Sequence, residues 1–334
     1  MASLRRYVVR NYMLEYHDKI SNKLNGWIKK GIFNTGYGFA LFPDGRTLAG
    51  NRLMERNEIN EYVKDRIKSS EPFMLARYGS TEANMISRYL LKEKGIIKTV
   101  PEERKINLSA LSGFFPVGNE ELYLKFYEVM KKSSLQADVI GYWQNGMQEM
   151  LIDILCRKDV RITRLVNLHP YDFEGEAWTK ALEGKRVVVV HPFAKSIEMQ
   201  YKKRELIWKR NDILPEFNLR CVKAVQTIAG EKDDRFVDWF QALDYMYHEV
   251  MSEDFDIAII GCGAYGMPLA AKIKEAGKQA IHLGGVVQAL FGIKGDRFDQ
   301  YSDFRDHYYN DAWVRPLAEE RPQNYKKVEN GCYW

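Results

Sequence analysis

The chain's 334 residues suffice for one large α/β domain or two small ones. Hydrophobic residues make up 46% and charged residues 28%, a globular balance that excludes a disordered chain, and no apolar run is long enough to span a bilayer. The net charge of +5 equals that of residues 1–33 alone, where seven basic residues stand against two acidic ones, so the rest is near neutral and a dedicated nucleic-acid binder is excluded.

Residues 1–33 place Tyr7, Val8, Tyr12, Met13 and Tyr16 near helical spacing. This predicts a basic helix that docks on the main domain or rests on an anionic membrane surface. No apolar stretch follows its charges, so it is not a secretory signal. Residues 34–50, with a turn at Pro43–Gly45, read as a loop or hairpin, and residues 55–69 as a charged helix. Strand, turn and helix then recur. Pro72–Tyr78 reads as a buried strand before a helix over Thr81–Lys94, and Ala137–Tyr142 as a strand before a helix over Met147–Cys156. Arg161–Leu168 reads as a strand, followed by a loop and a helix over Glu176–Leu182. Arg186–His191 holds four consecutive valines, as a parallel strand buried on both faces does, and a helix over Ala194–Lys209 follows. Leu219–Val225, Asp256–Ile260 and Gln279–Leu283 read as further strands, separated by helices over Trp239–Ser252 and Gly266–Ala276. The alternation predicts an α/β fold: a Rossmann-like, mostly parallel sheet with helices on both faces, plus an N-terminal helical extension. The aromatic, polar tail after Asp299 fits neither periodicity. Cys156, Cys221, Cys262 and Cys332 form no C-x-x-C pair, which argues against structural zinc and for a reducing compartment.

Five segments that follow strands carry the polar chemistry. Gly261, Gly263 and Gly266 form G-x-G-x-x-G between a strand and a helix, a turn that lets phosphate approach backbone N–H groups. A dinucleotide site would end the next strand on a carboxylate; here it ends at His282. Arg77, in Ala76–Glu82, offers a planar fork suited to phosphate, while Ser80 or Thr81 caps the helix and Glu82 favours its positive end. The loop Asn167–Glu176 packs His169, Asp172, Glu174 and Glu176 together as candidate general bases, or as a solvated loop. His191 and Lys195 follow the valine strand, and Lys195 is either a phosphate partner or a surface lysine. His282 and Gly284 lie in the last such segment, where a lone histidine is commonly structural. In a parallel sheet, all five converge on one edge, where open α/β folds bind ligands.

These segments, in this order, resemble the GT-D glycosyltransferases of bacterial surface-polysaccharide and glycoprotein assembly. The family's R-F-G-D-G-E-like motif stands here as Arg77-Tyr78-Gly79-Ser80-Thr81-Glu82, and its late glycine turn and Gly-containing loop as Gly261–Gly266 and Gln279–Gly285. The resemblance covers roughly residues 60–297. It implies a glycosyltransferase that moves a sugar from a nucleotide-sugar donor to an acceptor hydroxyl on a glycan or lipid-linked acceptor. It further implies that Arg77, Gly79, Ser80, Gly261, Gly263, Gly266, His282 and Gly284 hold the donor and its phosphates, and Lys195 is expected to join them from its place after the valine strand. Glu82 then serves as base or metal ligand, with Asp172 or His169 as the alternative base. Ser80 replaces the first carboxylate of the family's metal-binding D-x-E, so dependence on Mn²⁺ or Mg²⁺ is expected to be weak or dispensable.

The expected organisation is a basic helix and loop over 1–50, a nucleotide-sugar-binding α/β domain over 51–310 and a tail over 311–334 packed on it. The expected location is cytoplasmic, at the inner face of the membrane if residues 1–33 dock there. No nucleic-acid partner is expected, and the oligomeric state is open, a homo-oligomer included. Two rival readings are an NAD(P)-dependent oxidoreductase, resting on the glycine turn, and a nucleotide-binding protein that has lost catalysis.

Overall fold

The computed structural model describes residues 50–143, 147–231 and 233–334. The expected basic helix and loop, with its membrane contact, lies outside the described residues, Gly50 excepted. No helix among the described residues is long and apolar enough to cross a membrane.

Eight strands form one sheet: β1 (Leu53–Met54), β2 (Phe73–Ala76), β3 (Val139–Tyr142), β4 (Arg161–Arg164), β5 (Arg186–His191), β6 (Asn218–Lys223), β7 (Ile257–Ile260) and β8 (Gln279–His282). Their spatial order is β1-β4-β3-β2-β8-β7-β5-β6 and every pairing is parallel, where the sequence predicted a mostly parallel sheet. β2, β3, β7 and β8 are buried at every residue, so their apolar runs lack alternation, as interior parallel strands require. β6 at one edge is largely half-exposed.

Successive side chains point to opposite faces and build two cores. Met74 and Ala76, with Val188, Val190, Ala258 and Ile260, face the helices Ser80–Glu93, Glu120–Gln136, Trp239–Met251 and Gly266–Glu275. Phe73 and Leu75, with Val187, Val189, Ile257 and Ile259, face Arg56–Ser69, Ala194–Tyr201 and Val286–Leu290. Each large apolar side chain taken fully out of water contributes about 1.5–3 kcal/mol, which holds the two layers of helices onto the sheet.

Several elements differ from the sequence-based expectation. Helices Glu102–Ser112 and Glu120–Gln136 fill a stretch that periodicity left unassigned; the second starts at Asn119, whose side chain accepts from the N–H groups of Glu121 and Leu122. The strand expected to reach Leu168 stops at Arg164 and passes into a 3₁₀ turn. The helix expected over Glu176–Leu182 is a 3₁₀ turn, Trp178–Leu182. The helix expected over Ala194–Lys209 breaks after Tyr201 and resumes as Arg204–Ile207. The tail folds back on the domain: Trp313 and Trp334 are buried, and the N–H of Lys294 donates to the Val314 carbonyl at 2.7 Å.

Candidate active site

The sheet order decides where a ligand can enter. After β2 and β7 the chain turns into helices on one face, and after β8 and β5 into helices on the other. Neighbours in the run β2-β8-β7-β5 therefore send their connections to opposite sides, and clefts open between them at the carboxyl edge. A small cavity sits there. Arg77 after β2, His191 at the end of β5, Gln226 and Thr227 after β6, Gly261 and Gly263 after β7, and Gly284 and Gly285 after β8 all line it.

Arg77 is half-buried. Its Nη1 donates to the Tyr78 carbonyl at 3.3 Å, and its guanidinium carbon lies 6.0 Å from the centre of the Trp143 ring. Its Nε is buried without a hydrogen-bond partner, and among the described residues Arg77 forms no ion pair. A guanidinium without a counter-charge at a cavity wall attracts anions.

The glycines explain how it comes so close. Gly284 adopts φ +61°, and a Cβ there would fall 2.7 Å from Arg77 Nε and 2.8 Å from its central carbon. Only glycine supplies that backbone conformation without strain while leaving room for the guanidinium. A Cβ on Gly261 would lie 2.6 Å from His191 Cδ2. Gly266 does not line the cavity: a Cβ there would overlap the His282 imidazole, so it serves close packing of helix on strand.

The two buried histidines are neutral. Burial pushes the pKa of His191 down to about 3. Burial, helped by the charge of Arg77, does the same to His282. The Nδ1 of His191 accepts from the Phe193 N–H at 3.0 Å, so the proton of the neutral ring sits on Nε2, a donor with no protein partner among the described residues. His282 Nδ1 lies 3.2 Å from the Ile260 carbonyl and must donate to it. His282 is thus a packing residue rather than a ligand contact, and no carboxylate stands at the end of β8 to hold a ribose. Cys262 lines the cavity, but burial pushes its thiol far above the usual range, so it is no thiolate nucleophile.

Glu82 is 5% exposed and does not line the cavity. It is the third residue of the helix Ser80–Glu93, and its carboxylate folds back over Gly79, where a Cβ would lie 2.8 Å from Oε1. Ser80 opens the same helix, outside the lining. Glu82 nevertheless reaches the cavity through hydroxyls: Thr81 Oγ1 donates to Glu82 Oε2 at 3.2 Å, and Thr81 and Ser112 hydroxyls are bonded to each other. Ser112 lines the cavity.

Three other expected positions fall elsewhere. Lys195 is 65% exposed at its side chain and pairs with Glu319 at 2.6 Å. The helix end beside it is filled as well: the buried carboxylate of Glu320 accepts from the N–H groups of Lys195 at 2.8 Å and Ser196 at 3.3 Å, and from the Ser196 hydroxyl. The chain's own acid therefore occupies the donors that a phosphate would need at this position. His169 and Asp172 also lie off the cavity. Asp172 Oδ2 is 3.3 Å from His169 Nδ1, and Tyr308 donates to Oδ1 at 2.8 Å. Burial acts to raise the Asp172 pKa, but the bonds from His169 and Tyr308 outweigh it and hold the carboxyl below its usual range. Asp172 borders a separate groove with the helix Ser302–Tyr308.

Sequence reasoning missed Ser112, Thr227, Tyr333 and Trp334 in the lining. Trp334 is 4% exposed, with ring centres 6.0 Å from Phe193 and 5.7 Å from Tyr325. No local pattern marks these residues, because distant segments deliver them. His191 did carry the signal, a polar side chain that ends a buried strand.

The residues do not suit a protein-held divalent ion. No Asp or Glu lines the cavity, and among the described residues no group of three or more His, Cys, Asp or Glu is placed to hold a metal.

The profile of a family described as the GT-D fold-like domain matches residues 54–290. No curated protein matches the chain. A solved structure, described as the selenomethionine-substituted form of domain of unknown function 1792, is similar at 13% identity, with 84% of this chain and 95% of that chain covered and a TM-score of 0.42. A likeness that loose says nothing about the site.

Proposed function

Because the chain belongs to the GT-D-like family, a glycosyltransferase-type fold whose profile covers most of it, we propose that it transfers a glycosyl group from a nucleoside-diphosphate sugar to an acceptor hydroxyl. One observation carries the reading: a guanidinium without a counter-ion, Arg77, faces glycine turns in a cavity at the carboxyl ends of five parallel strands. That edge holds backbone N–H groups and positive charge where a departing diphosphate develops its own charge.

The acceptor oxygen forms a bond to the anomeric carbon as the bond from that carbon to the phosphate oxygen breaks, and the electron pair leaves with the diphosphate. Arg77 stabilises that charge, and the Nε2–H of His191 donates to it without titrating near neutrality. The acceptor proton passes to Ser112, from Ser112 to Thr81, and from Thr81 to the carboxylate of Glu82. No step runs through a metal ion. A glycan or lipid-linked acceptor in bacterial polysaccharide or glycoconjugate assembly rests on the family relationship alone.

The test is a panel of nucleoside-diphosphate sugars, scored by thermal stabilisation and by release of nucleoside diphosphate, with Arg77→Lys as control. A ligand that binds only the folded state raises its melting temperature. Lysine keeps the charge and loses the bidentate fork, so affinity falls at least several-fold. The reading fails if no member of the panel stabilises the protein or turns over.

A further inference from the structure

We propose that Arg297 is the second cation of the diphosphate site, facing Arg77 across the Gly284–Gly285 turn; this rests on the donor reading above. Two adjacent glycines meet two different guanidinium groups. A Cβ on Gly284 would sit 2.8 Å from the central carbon of Arg77, and a Cβ on Gly285 would sit 3.1 Å from that of Arg297. Given about 3.8 Å between neighbouring Cα atoms, the two guanidinium carbons are at most about 13 Å apart. Gly284, Gly285 and Arg77 line the cavity, and Arg297 stands against Gly285 just outside that lining.

Neither arginine has a carboxylate partner within ion-pair distance among the described residues, and both lie beside the same two-glycine turn. Two like charges held beside one turn repel each other, and an anion bound between them removes that cost. A diphosphate matches this demand better than a monophosphate, because it offers a phosphate to each fork.

Arg297 is also held in place. Its N–H donates to the Cys332 carbonyl at 2.8 Å, and its guanidinium carbon lies 4.8 Å from the centre of the Tyr333 ring. Tyr333 lines the cavity, and its carbonyl accepts from Gln288 Nε2 at 2.8 Å. The tail thus sets the arginine against the turn. Arg297 lies beyond residue 290, where the match to the family profile ends.

The experiment uses the full chain and titrates inorganic pyrophosphate, inorganic phosphate and a panel of nucleoside diphosphates by calorimetry. Arg297→Gln is expected to lose at least tenfold in affinity for pyrophosphate and nucleoside diphosphates, with a smaller loss for phosphate. Arg297→Lys keeps the charge and stem and is expected to lose several-fold, and it decides the matter if the glutamine variant does not fold. If the wild type binds pyrophosphate and either folded variant binds it equally well, Arg297 is only a stacking partner of Tyr333 and the donor reading survives. If the wild type binds neither pyrophosphate nor any nucleoside diphosphate, both fall together.

Discussion

Replacing Gly284 with alanine does two separable things. The first acts on the backbone: φ is +61°, and an L-residue there costs about 1–2 kcal/mol. In a chain of this size that lowers the melting temperature by a few degrees. The second acts on Arg77, because the new Cβ would lie 2.7 Å from Nε and 2.8 Å from the central carbon. The guanidinium is the free end of a flexible side chain, so it swings aside at little further cost to folding. Its displacement removes charge-assisted hydrogen bonds of about 1.5–3 kcal/mol from a bound diphosphate, a loss on the order of tenfold to a hundredfold in affinity. Thermal melts measure the first effect, and calorimetric titration with a nucleoside diphosphate that binds the wild type measures the second. A variant that melts a few degrees lower yet binds as tightly as the wild type refutes the placement of the ligand at Arg77.

Glu82→Gln keeps an oxygen to accept from Thr81 but loses the proton acceptor, so kcat is expected to fall by about 10²–10⁴ while donor Kd changes little; equal kcat in the two proteins rules out the relay. His191 and His282 have folded pKa values near 3 against an unfolded value near 6.5, so between those limits the unfolded chain binds protons that the folded chain refuses. Stability then declines as pH falls from about 6.5, by about 1.4 kcal/mol per pH unit per ring once well below it, and urea unfolding between pH 7 and 5 should show the onset; a flat profile contradicts burial of both rings. Donor turnover is expected to survive in EDTA, and Ser80→Asp to introduce a response to Mn²⁺. Abolition of wild-type turnover by EDTA, with full return at micromolar metal, defeats that expectation.

The sheet was legible because interior parallel strands share one composition: β2 and β7 are apolar throughout, and β5 is apolar at every interior position. The edge where chemistry gathers followed from the strand–helix alternation. Individual side chains were less legible. Lys195 and His191 follow the same strand, and charge favoured the lysine, but Glu319 and Glu320 arrive more than a hundred residues later and occupy it. His169 and Asp172 sit beyond β4, two strands away from β2, so the same edge carries them off the cavity. β1 has two residues, too few for any periodicity to register. Ser112 reaches the cavity because the helix Glu102–Ser112 ends there, and the sequence gives no hint of that direction.

The carboxylate of Glu320 at the start of the helix Ala194–Tyr201 has a consequence for shortened versions of the chain. It is bound as a guest would be, by two amides and a hydroxyl, with Leu317 N–H donating back to the same Ser196 oxygen at 3.0 Å. Cutting the chain before residue 318 would therefore do more than strip packing from the surface. It would vacate a berth already shaped for an acid, next to a lysine freed from Glu319. Sulfate or phosphate from the buffer could settle there, and a truncated protein would then report an anion affinity that the intact one does not have.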